Sequence, residues 1–241
     1  MDLPLHPDCP LLKHDPCGLI AVDKACGVLS HPNSSSESSA GALITCPYDF
    51  DQEAYVAKTG TLYLLNRLDG PTSGVILLSE NPDLAQLVKD AFAAHRVEKT
   101  YAALVKGIPP GKRDSWRDCL AVRKRNGTLR TQTTRGKPNA FVDVDLLQRG
   151  TGPPARALVA LKPTTGRTHQ LRVQCASRRL PIIGDATYGD FRFNREFRGK
   201  HGTGRLFLHS WKTLLKVSFK GQAIEFSAES PLPDAFTVAL R

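Results

Sequence analysis

The sequence lacks the features of membrane, secreted and metal-binding proteins. No apolar run approaches the roughly 18 residues that a membrane-spanning helix requires, and residues 1–16 contain no apolar core of a secretory signal. The six cysteines include no pair at CxxC spacing, so no zinc site is predicted. We therefore expect a cytoplasmic protein with reduced, buried and inert cysteines, without a metal and without membrane association.

Acidic residues are scarce relative to basic ones. The 241 residues include 33 Lys and Arg against 23 Asp and Glu, which gives a net charge of +10. Residues 112–137 hold nine basic side chains against two acidic ones, and they include Asn126-Gly127, a strong signal for a hairpin turn. Clustered positive charge binds phosphate backbones. We interpret the segment as a basic hairpin that binds a polyanion, and the alternative is a solvated, disordered loop.

The pattern of apolar residues predicts an α+β fold with a largely antiparallel mixed sheet and flanking helices and loops. Asn81-Pro82 has the residue types that start a helix, and residues 166–178 are also predicted to be helical. Residues 1–16 are expected to form a flexible, Pro-rich leader. The predicted strands, which turns mainly connect, are 19–22, 62–65, 75–79, 99–105, 141–147, 155–161, 206–209 and 214–219.

A short segment rich in turn-forming residues joins two apolar strands. It places Arg67 and Asp69 two positions apart, and Gly70 and Gly74 permit tight turns and a close approach of a ligand. Strands on both sides of a loop hold a catalytic side chain in a defined position. Taken alone, however, Arg-x-Asp-Gly is also the sequence of an ordinary surface turn.

A second segment, residues 166–190, concentrates side chains that contact phosphates or carboxylates. Within six residues it contains Arg167, Thr168, His169, Gln170 and Arg172. By itself this segment is weak evidence for an anion-binding site.

Taken together, the two segments resemble the RluA-type pseudouridine synthases. The catalytic segment of that family, His-Arg-Leu-Asp-x-x-Thr-Ser-Gly, is similar to residues 66–74, where Asn66 stands in place of His. The later family segment, Gly-Arg-Thr/Ser-His-Gln-Ile/Leu-Arg-Val, is matched by residues 166–173, and its tail by residues 181–189. Shorter matches occur at residues 24–32 (with Ala25 in place of Pro), 99–103 and 205–209, so the resemblance covers nearly the whole chain.

The resemblance implies an enzyme that isomerises specific uridines of tRNA or rRNA to pseudouridine without a cofactor. It implies that residues 17–241 form one catalytic domain with a central cleft, in which residues 112–137 are a hairpin insertion. No separate S4-type domain is expected before this catalytic domain. RNA is then the expected partner, and we expect a monomer. The target base has to leave its stack to react, which costs less in an RNA loop than in a duplex.

The resemblance also assigns roles to individual side chains. Asp69 is expected to be the nucleophile, which attacks the ribose C1′ or the base, or assists elimination, and Arg172 to keep it ionised. Tyr101 is expected to stack on the uracil and to act as general base at C5, and the alternative is a plain core residue of a strand. The expected RNA-binding residues, of which His169 and Gln170 have a supporting role, are Arg67, Thr72, Arg167, His169, Gln170, Arg123, Lys124 and Arg125.

Two other functions compete with this interpretation. An RNA-binding protein without catalysis explains the charge, but it does not explain why Asp69, Tyr101 and Arg172 all occur together. A hydrolase of glycosidic bonds generally requires two opposed carboxylates. Asp185 is the only other obvious candidate for such a carboxylate, and its Ile-Gly-Asp setting is interpreted as a turn.

Overall fold

The chain folds into two compact units, seen in a computed structural model that describes residues 3–58, 60–125 and 128–241. The first unit comprises Met1–Glu98 and Ser210–Pro231, and the second comprises Lys99–His209 and Leu232–Arg241. Within the described ranges, none of the helices is long and apolar enough to cross a membrane. The expected single domain over residues 17–241 stays a prediction.

Strands and helices follow one another in a mixed order along the chain. The strands are β1 (Leu11–His14), β2 (Leu19–Lys24), β3 (Tyr48–Asp49), β4 (Ala54–Ala57), β5 (Gly60–Leu64), β6 (Ser73–Ser79), β7 (Glu98–Lys106), β8 (Arg113–Arg125), β9 (Thr128–Thr134), β10 (Ala140–Arg149), β11 (Arg156–Pro163), β12 (Leu208–Phe219) and β13 (Gln222–Glu229). The helices are α1 (Pro82–Ala93), α2 (Gln170–Ser177), α3 (Phe191–His201) and α4 (Asp234–Leu240).

The first unit is an antiparallel arrangement of strands with α1 packed on it. β2 pairs with β1 and β6, β5 pairs with β4 and β6, and β12 pairs with β13, all antiparallel. Leu84, Val88 and Ala91 of α1 are buried in one apolar cluster with strand residues such as Leu77. The Asn81 Oδ1 atom accepts a hydrogen bond from the Leu84 backbone N–H at 3.0 Å, so the predicted start of this helix is confirmed.

The second unit is built on the antiparallel strands β7, β11, β10, β8 and β9, paired in that order. In the pair of β8 with β9, Arg125 lies opposite Thr128. The predicted hairpin is therefore confirmed as a pair of strands, while Asn126 and Gly127 lie outside the described residues. Together with the four α-helices of the described chain, this antiparallel pairing confirms the predicted α+β fold class.

Helices α3 and α4 were not predicted from the sequence. In α3, only Phe193 and Phe197 are buried. The residues around them are mostly charged, so the sequence lacks the longer apolar repeat that predicts a helix. Its capping signals were present, since the Asp190 side chain accepts from the Phe193 N–H and Gly202 ends the helix at φ +69°. The predicted helix at residues 166–178 begins later than expected, at Gln170.

The described residues of the N-terminal segment contact other parts of the first unit, while the expectation of a flexible leader over residues 1–16 stays a prediction. β1 pairs with β2, the Thr45 N–H donates to the Pro4 carbonyl at 2.8 Å, and Cys9 is 1% exposed. Proline residues did not prevent these contacts, because Leu11–His14 lies between the prolines and supplies its own backbone donors.

The six cysteines are free thiols, but their predicted burial is wrong for four of them. Only Cys9 and Cys175 are buried. Burial raises the pKa of the Cys9 thiol above its ordinary value and that of Cys175 to about 12, so both stay protonated at neutral pH.

Candidate active site

Asp69 lies on the short connection between β5 and β6 in the first unit. It is partly buried, between the buried Leu68 and the partly buried Gly70. The Thr72 N–H donates to the Asp69 carbonyl at 2.9 Å, which closes a tight turn directly after this residue. Arg67 is exposed, whereas the predicted RNA-binding residue Thr72 is only 3% exposed.

Ser30 fixes the peptide on the N-terminal side of Asp69. The Ser30 hydroxyl donates to the Leu68 carbonyl at 2.8 Å and accepts from the Leu68 N–H at 3.0 Å. The fully buried Tyr55 hydroxyl in turn donates to the Ser30 carbonyl at 2.6 Å. Because these bonds are buried and reciprocal, Leu68 is held in one position relative to the strands.

Lys24 fixes the peptide on the C-terminal side of Asp69. This lysine is fully buried, and its Nζ atom donates to the carbonyls of Gly70, at 3.0 Å, and of Ala25 and Val28. The Gly70 carbonyl also accepts from the Gly27 N–H at 2.9 Å. The segment at residues 24–30 therefore holds the backbone of the loop on both sides of Asp69.

Asn66 and Gly74 set the ends of the same loop. The Asn66 Oδ1 atom accepts from the Leu77 N–H at 2.8 Å, so the residue that replaces the histidine of the family joins the loop to β6. Gly74 has φ +109°, and a Cβ atom at this position would lie 2.2 Å from the Ser210 carbonyl oxygen. Only glycine fits there.

In the second unit, Arg172 and Asp185 form a buried ion pair. Nε of Arg172 donates to Oδ2 of Asp185 at 2.7 Å, and Nη2 donates to Oδ1 at 2.9 Å. The two side chains are 6% and 1% exposed. This bidentate geometry fixes the plane of the guanidinium. The interpretation of Asp185 as an ordinary turn residue missed this role, although the Gly-Asp pair belongs to the matched tail segment.

Backbone donors complete the environment of Asp185. Its Oδ1 atom also accepts from the N–H groups of Thr187, at 2.8 Å, and Tyr188, at 2.9 Å. Burial by itself raises the pKa of this carboxyl. The hydrogen bonds and charge of Arg172, together with the two backbone donors, outweigh burial and lower the pKa below its ordinary value. Asp185 is therefore an ionised carboxylate that supports Arg172.

The start of α2 is organised by side chains that the sequence had assigned to RNA binding. Gln170 is 4% exposed: its Oε1 atom accepts from the Thr165 hydroxyl and the Arg167 N–H, and its Nε2 atom donates to the Phe141 carbonyl. His169 is partly buried, and its Nδ1 atom lies 2.9 Å from the Tyr188 hydroxyl. Gln170 therefore shapes the loop, while Arg167 is exposed.

Tyr101 lies on β7 of the same unit, opposite Leu161 of β11. Its side chain is partly buried, while the residues that follow it, Ala102 to Val105, are buried in the core. Tyr101 is thus near the edge of the packed part of its strand. On the basic hairpin, Arg123 is exposed, and the side chains of Lys124 and Arg125 lie outside the described residues.

A metal centre is not evident in the part of the chain that the structure describes. No group of three or more His, Cys, Asp or Glu side chains is placed to hold an ion there. The absence of a cofactor stays a prediction.

Comparison with known proteins identifies relatives of the chain. The sequence model of the RNA pseudouridylate synthase family matches residues 18–177. A tRNA pseudouridine synthase C of Yersinia pestis is 38% identical over 175 residues, which cover 69% of this chain and 68% of the relative. The enzyme of the same name from Vibrio cholerae is 31% identical over 201 residues, 80% of this chain and 79% of the relative.

The fold is shared with a solved human structure. Human RNA Pseudouridylate Synthase Domain Containing 4 superimposes with a TM-score of 0.68 at 23% identity, covering 95% of this chain and 91% of that one. These matches confirm the resemblance to RluA-type enzymes. The chain belongs to the RNA pseudouridylate synthase family, whose members are isomerases that form pseudouridine in RNA.

Proposed function

We propose that this chain isomerises a uridine in a tRNA stem-loop, with Asp69 as the nucleophile. The observation that carries the proposal is the attachment of both peptides that flank Asp69, by Ser30 and by Lys24. A surface turn without a function does not require a fully buried lysine to hold it. The choice of tRNA rests on relatives that are named tRNA pseudouridine synthases.

The reaction detaches uracil from its ribose, rotates it and rejoins it to C1′ through C5. The Asp69 carboxylate attacks the ribose C1′ or the base, or assists elimination. Arg172 keeps that carboxylate ionised, and Asp185 holds the Arg172 guanidinium in its plane. Tyr101 stacks on the uracil and removes the proton from C5. These assignments extend the family resemblance residue by residue.

RNA binding, in this proposal, depends on exposed basic side chains. The target nucleotide is flipped out of its stack, and Arg67 fills part of the space that it leaves. Arg123 and its neighbours on the hairpin of β8 and β9 contact phosphates, as does Arg167 at the start of α2. As a substrate, a compact tRNA stem-loop fits this chain better than an extended surface of rRNA. The cytoplasm is the expected location of the protein.

The proposal is tested by mapping pseudouridine in total RNA from cells with and without this protein. We expect one or more tRNA positions to lose pseudouridine, and we expect wild-type protein, but not Asp69→Asn, to restore them. Asp83→Asn is the matched control, because Asp83 is an exposed carboxylate in the same unit.

Three results would contradict the proposal. Restoration by Asp69→Asn excludes Asp69 as the nucleophile. Loss at rRNA positions alone excludes tRNA as the substrate. Release of free uracil from a purified RNA substrate indicates hydrolysis instead of isomerisation.

A further inference from the structure

Three aromatic rings form a small cluster at the surface of the first unit. The rings of His31 and Tyr48 are stacked, with centroids 4.9 Å apart and an angle of 12° between their planes. The Phe50 ring meets both of them edge-on, at 5.9 and 5.0 Å. We call His31, Tyr48 and Phe50 the aromatic platform. Below it, the fully buried Tyr55 contacts Tyr48 at 4.8 Å.

The aromatic platform is accessible to solvent. Phe50 is 38% exposed, and His31 and Tyr48 are partly exposed. Single exposed apolar residues are common on protein surfaces and need no explanation. Three contacting rings that each reach solvent differ from a single exposed residue, because together they offer several aromatic contacts to a planar group.

Local hydrogen bonds hold the aromatic platform in one geometry. The Asp49 carboxylate accepts from the backbone N–H groups of Asp51, at 2.9 Å, and Gln52, at 3.0 Å, which fixes the turn that carries Phe50. His31 Nδ1 lies 2.6 Å from the Pro32 carbonyl, and since a carbonyl only accepts, Nδ1 is the donor. A surface fixed in this way binds a ligand at a small entropic cost.

The aromatic platform is connected to the loop that carries Asp69. His31 directly follows Ser30, whose hydroxyl binds the backbone of Leu68. Arg67, the residue before Leu68, is exposed. Its positive charge opposes the rise in the pKa of Tyr48 and contributes to the lowering of the pKa of Glu53.

The charges that act on Tyr48 in the aromatic platform have both signs, from the carboxylates of Glu53 and Asp49 and from the guanidinium of Arg67. The hydrogen bond from Lys89, at 2.8 Å, is the main cause that lowers the pKa of Glu53, so its negative charge is compensated. Burial, followed by the charge of Glu53, raises the pKa of Tyr48 to about 12, so its phenol is neutral at physiological pH. The positive charge of Arg67 opposes this rise.

We propose that the aromatic platform stacks an unpaired base of the RNA substrate that neighbours the target uridine. The inference rests on the proposed function, since it places RNA at the Asp69 loop. Single-stranded RNA is held by aromatic rings on which bases stack and by cations that contact the backbone. The platform provides the first of these, and an unpaired base next to the flipped uridine is available to stack on it.

The test separates stacking from phosphate binding. The probes are an unstructured RNA of twelve nucleotides and an abasic ribose-phosphate oligomer of the same length, and the measurement is the dissociation constant by fluorescence anisotropy. Phe50→Leu retains an apolar side chain but removes the aromatic face. We expect it to bind the RNA roughly fivefold to a hundredfold more weakly than wild type does, and to bind the abasic oligomer equally well.

Two further variants make the test specific. Phe50→Tyr keeps the ring and is expected to bind the RNA as wild type does. Phe191→Leu, an exposed phenylalanine on α3 of the second unit, is the matched control and is expected to leave both dissociation constants unchanged.

The inference is overturned by any of three results: equal RNA binding by Phe50→Leu and wild type, equal weakening on both probes, or the same loss in Phe191→Leu. The experiment measures binding and not turnover. Its failure therefore leaves the role of Asp69 intact, and the failure of the proposed function is recognised separately, by an active Asp69→Asn variant.

Discussion

The guanidinium of Arg172 and the carboxylate of Asp185 are joined by two parallel hydrogen bonds of 2.7 and 2.9 Å. Both groups are buried, and the hydrogen bonds and charge of Arg172 help to keep the pKa of Asp185 below its ordinary value. The pair anchors α2 to the loop at residues 182–189, and it fixes the orientation of the cation that we expect to act on Asp69. Four predictions follow from this pair, from the Asp69 loop and from the basic hairpin.

Arg172→Lys is expected to reduce the rate of pseudouridine formation about tenfold to a thousandfold, the range expected when a reacting group is misplaced by about 1 Å. Lysine keeps the positive charge but cannot form the planar fork that Asp185 binds. RNA affinity and the folded structure should be largely retained. Single-turnover rates and dissociation constants on one stem-loop measure the two effects separately.

Arg178→Lys is the matched control, because Arg178 also binds a carboxylate, that of Asp118, at the end of the same helix. We expect this variant to react at nearly the wild-type rate. Wild-type turnover by Arg172→Lys contradicts the assigned role of Arg172.

Asp185→Asn is expected to make stability less dependent on acidic pH. The folded-state pKa of Asp185 is lowered, so its stabilising contribution is complete above the ordinary Asp pKa of about 4 and is lost as pH falls through the lower, folded value. At pH 7 the free energy of unfolding of the variant should be about 3–5 kcal/mol lower than that of wild type, the usual cost of removing one partner of a buried ion pair. Below about pH 4 the free energies of unfolding of the variant and wild type should become more similar, because wild type then loses the contribution of ionised Asp185.

Urea unfolding between pH 7 and pH 3 measures this effect, and Asp83→Asn, which replaces an exposed carboxylate, is the control. A stability difference between Asp185→Asn and wild type that stays constant down to pH 3 would show that the ion pair does not produce the acid sensitivity.

Asn66→Leu is expected to reduce the free energy of unfolding by about 1–3 kcal/mol, the cost of leaving a buried donor without an acceptor. The donor is the N–H of Leu77, a residue that is 1% exposed. Asn66→Asp keeps an acceptor oxygen, so its free energy of unfolding should fall by less. Asn66→His, which restores the family residue, should also lose less, because an imidazole nitrogen can accept. Equal stability of all three variants would contradict the role given to the Asn66 side chain.

Replacing Arg123, Lys124 and Arg125 with Gln is expected to flatten the salt dependence of RNA binding. Each phosphate contact with single-stranded RNA contributes a slope of roughly −0.7 to log K against log salt, so three lost contacts change the slope by about 2. The triple replacement of Lys212, Lys216 and Lys220 in the first unit removes the same net charge and is the control. Equal slopes for the two variants would exclude the hairpin as the main phosphate contact.

The sequence allowed much of the fold to be predicted, because local signals agree with the final structure. Alternating or continuous apolar runs marked most of the strands, and Asn81-Pro82 marked the start of α1. The basic hairpin followed from charge and turn chemistry. Helix α3 was missed because its apolar pattern consists of two buried phenylalanines among charged residues. β1 was missed because the prolines around it suggested a chain without regular structure.

From the sequence, we could predict which residues belong to the candidate site but not the contacts that hold them. The order of the motifs, from residues 24–32 to 205–209, identified the family and pointed to Asp69, Tyr101 and Arg172 as chemical groups. The functions of Ser30, Lys24 and Asn66 could not be read in the same way, since each of these side chains is also common in ordinary loops.

By itself, the sequence determined the family, the succession of strands and the groups that carry charge, because these depend on local pattern and composition. Only the tertiary structure decided how Ser30 binds Leu68, 38 positions away, and how Lys24 binds Gly70, 46 positions away. It also decided that Gln170 is buried in the fold and that Arg172 pairs with Asp185. The physical reason is that a side-chain hydrogen bond requires its two partners within about 3 Å, and for distant residues only the folded chain brings them that close.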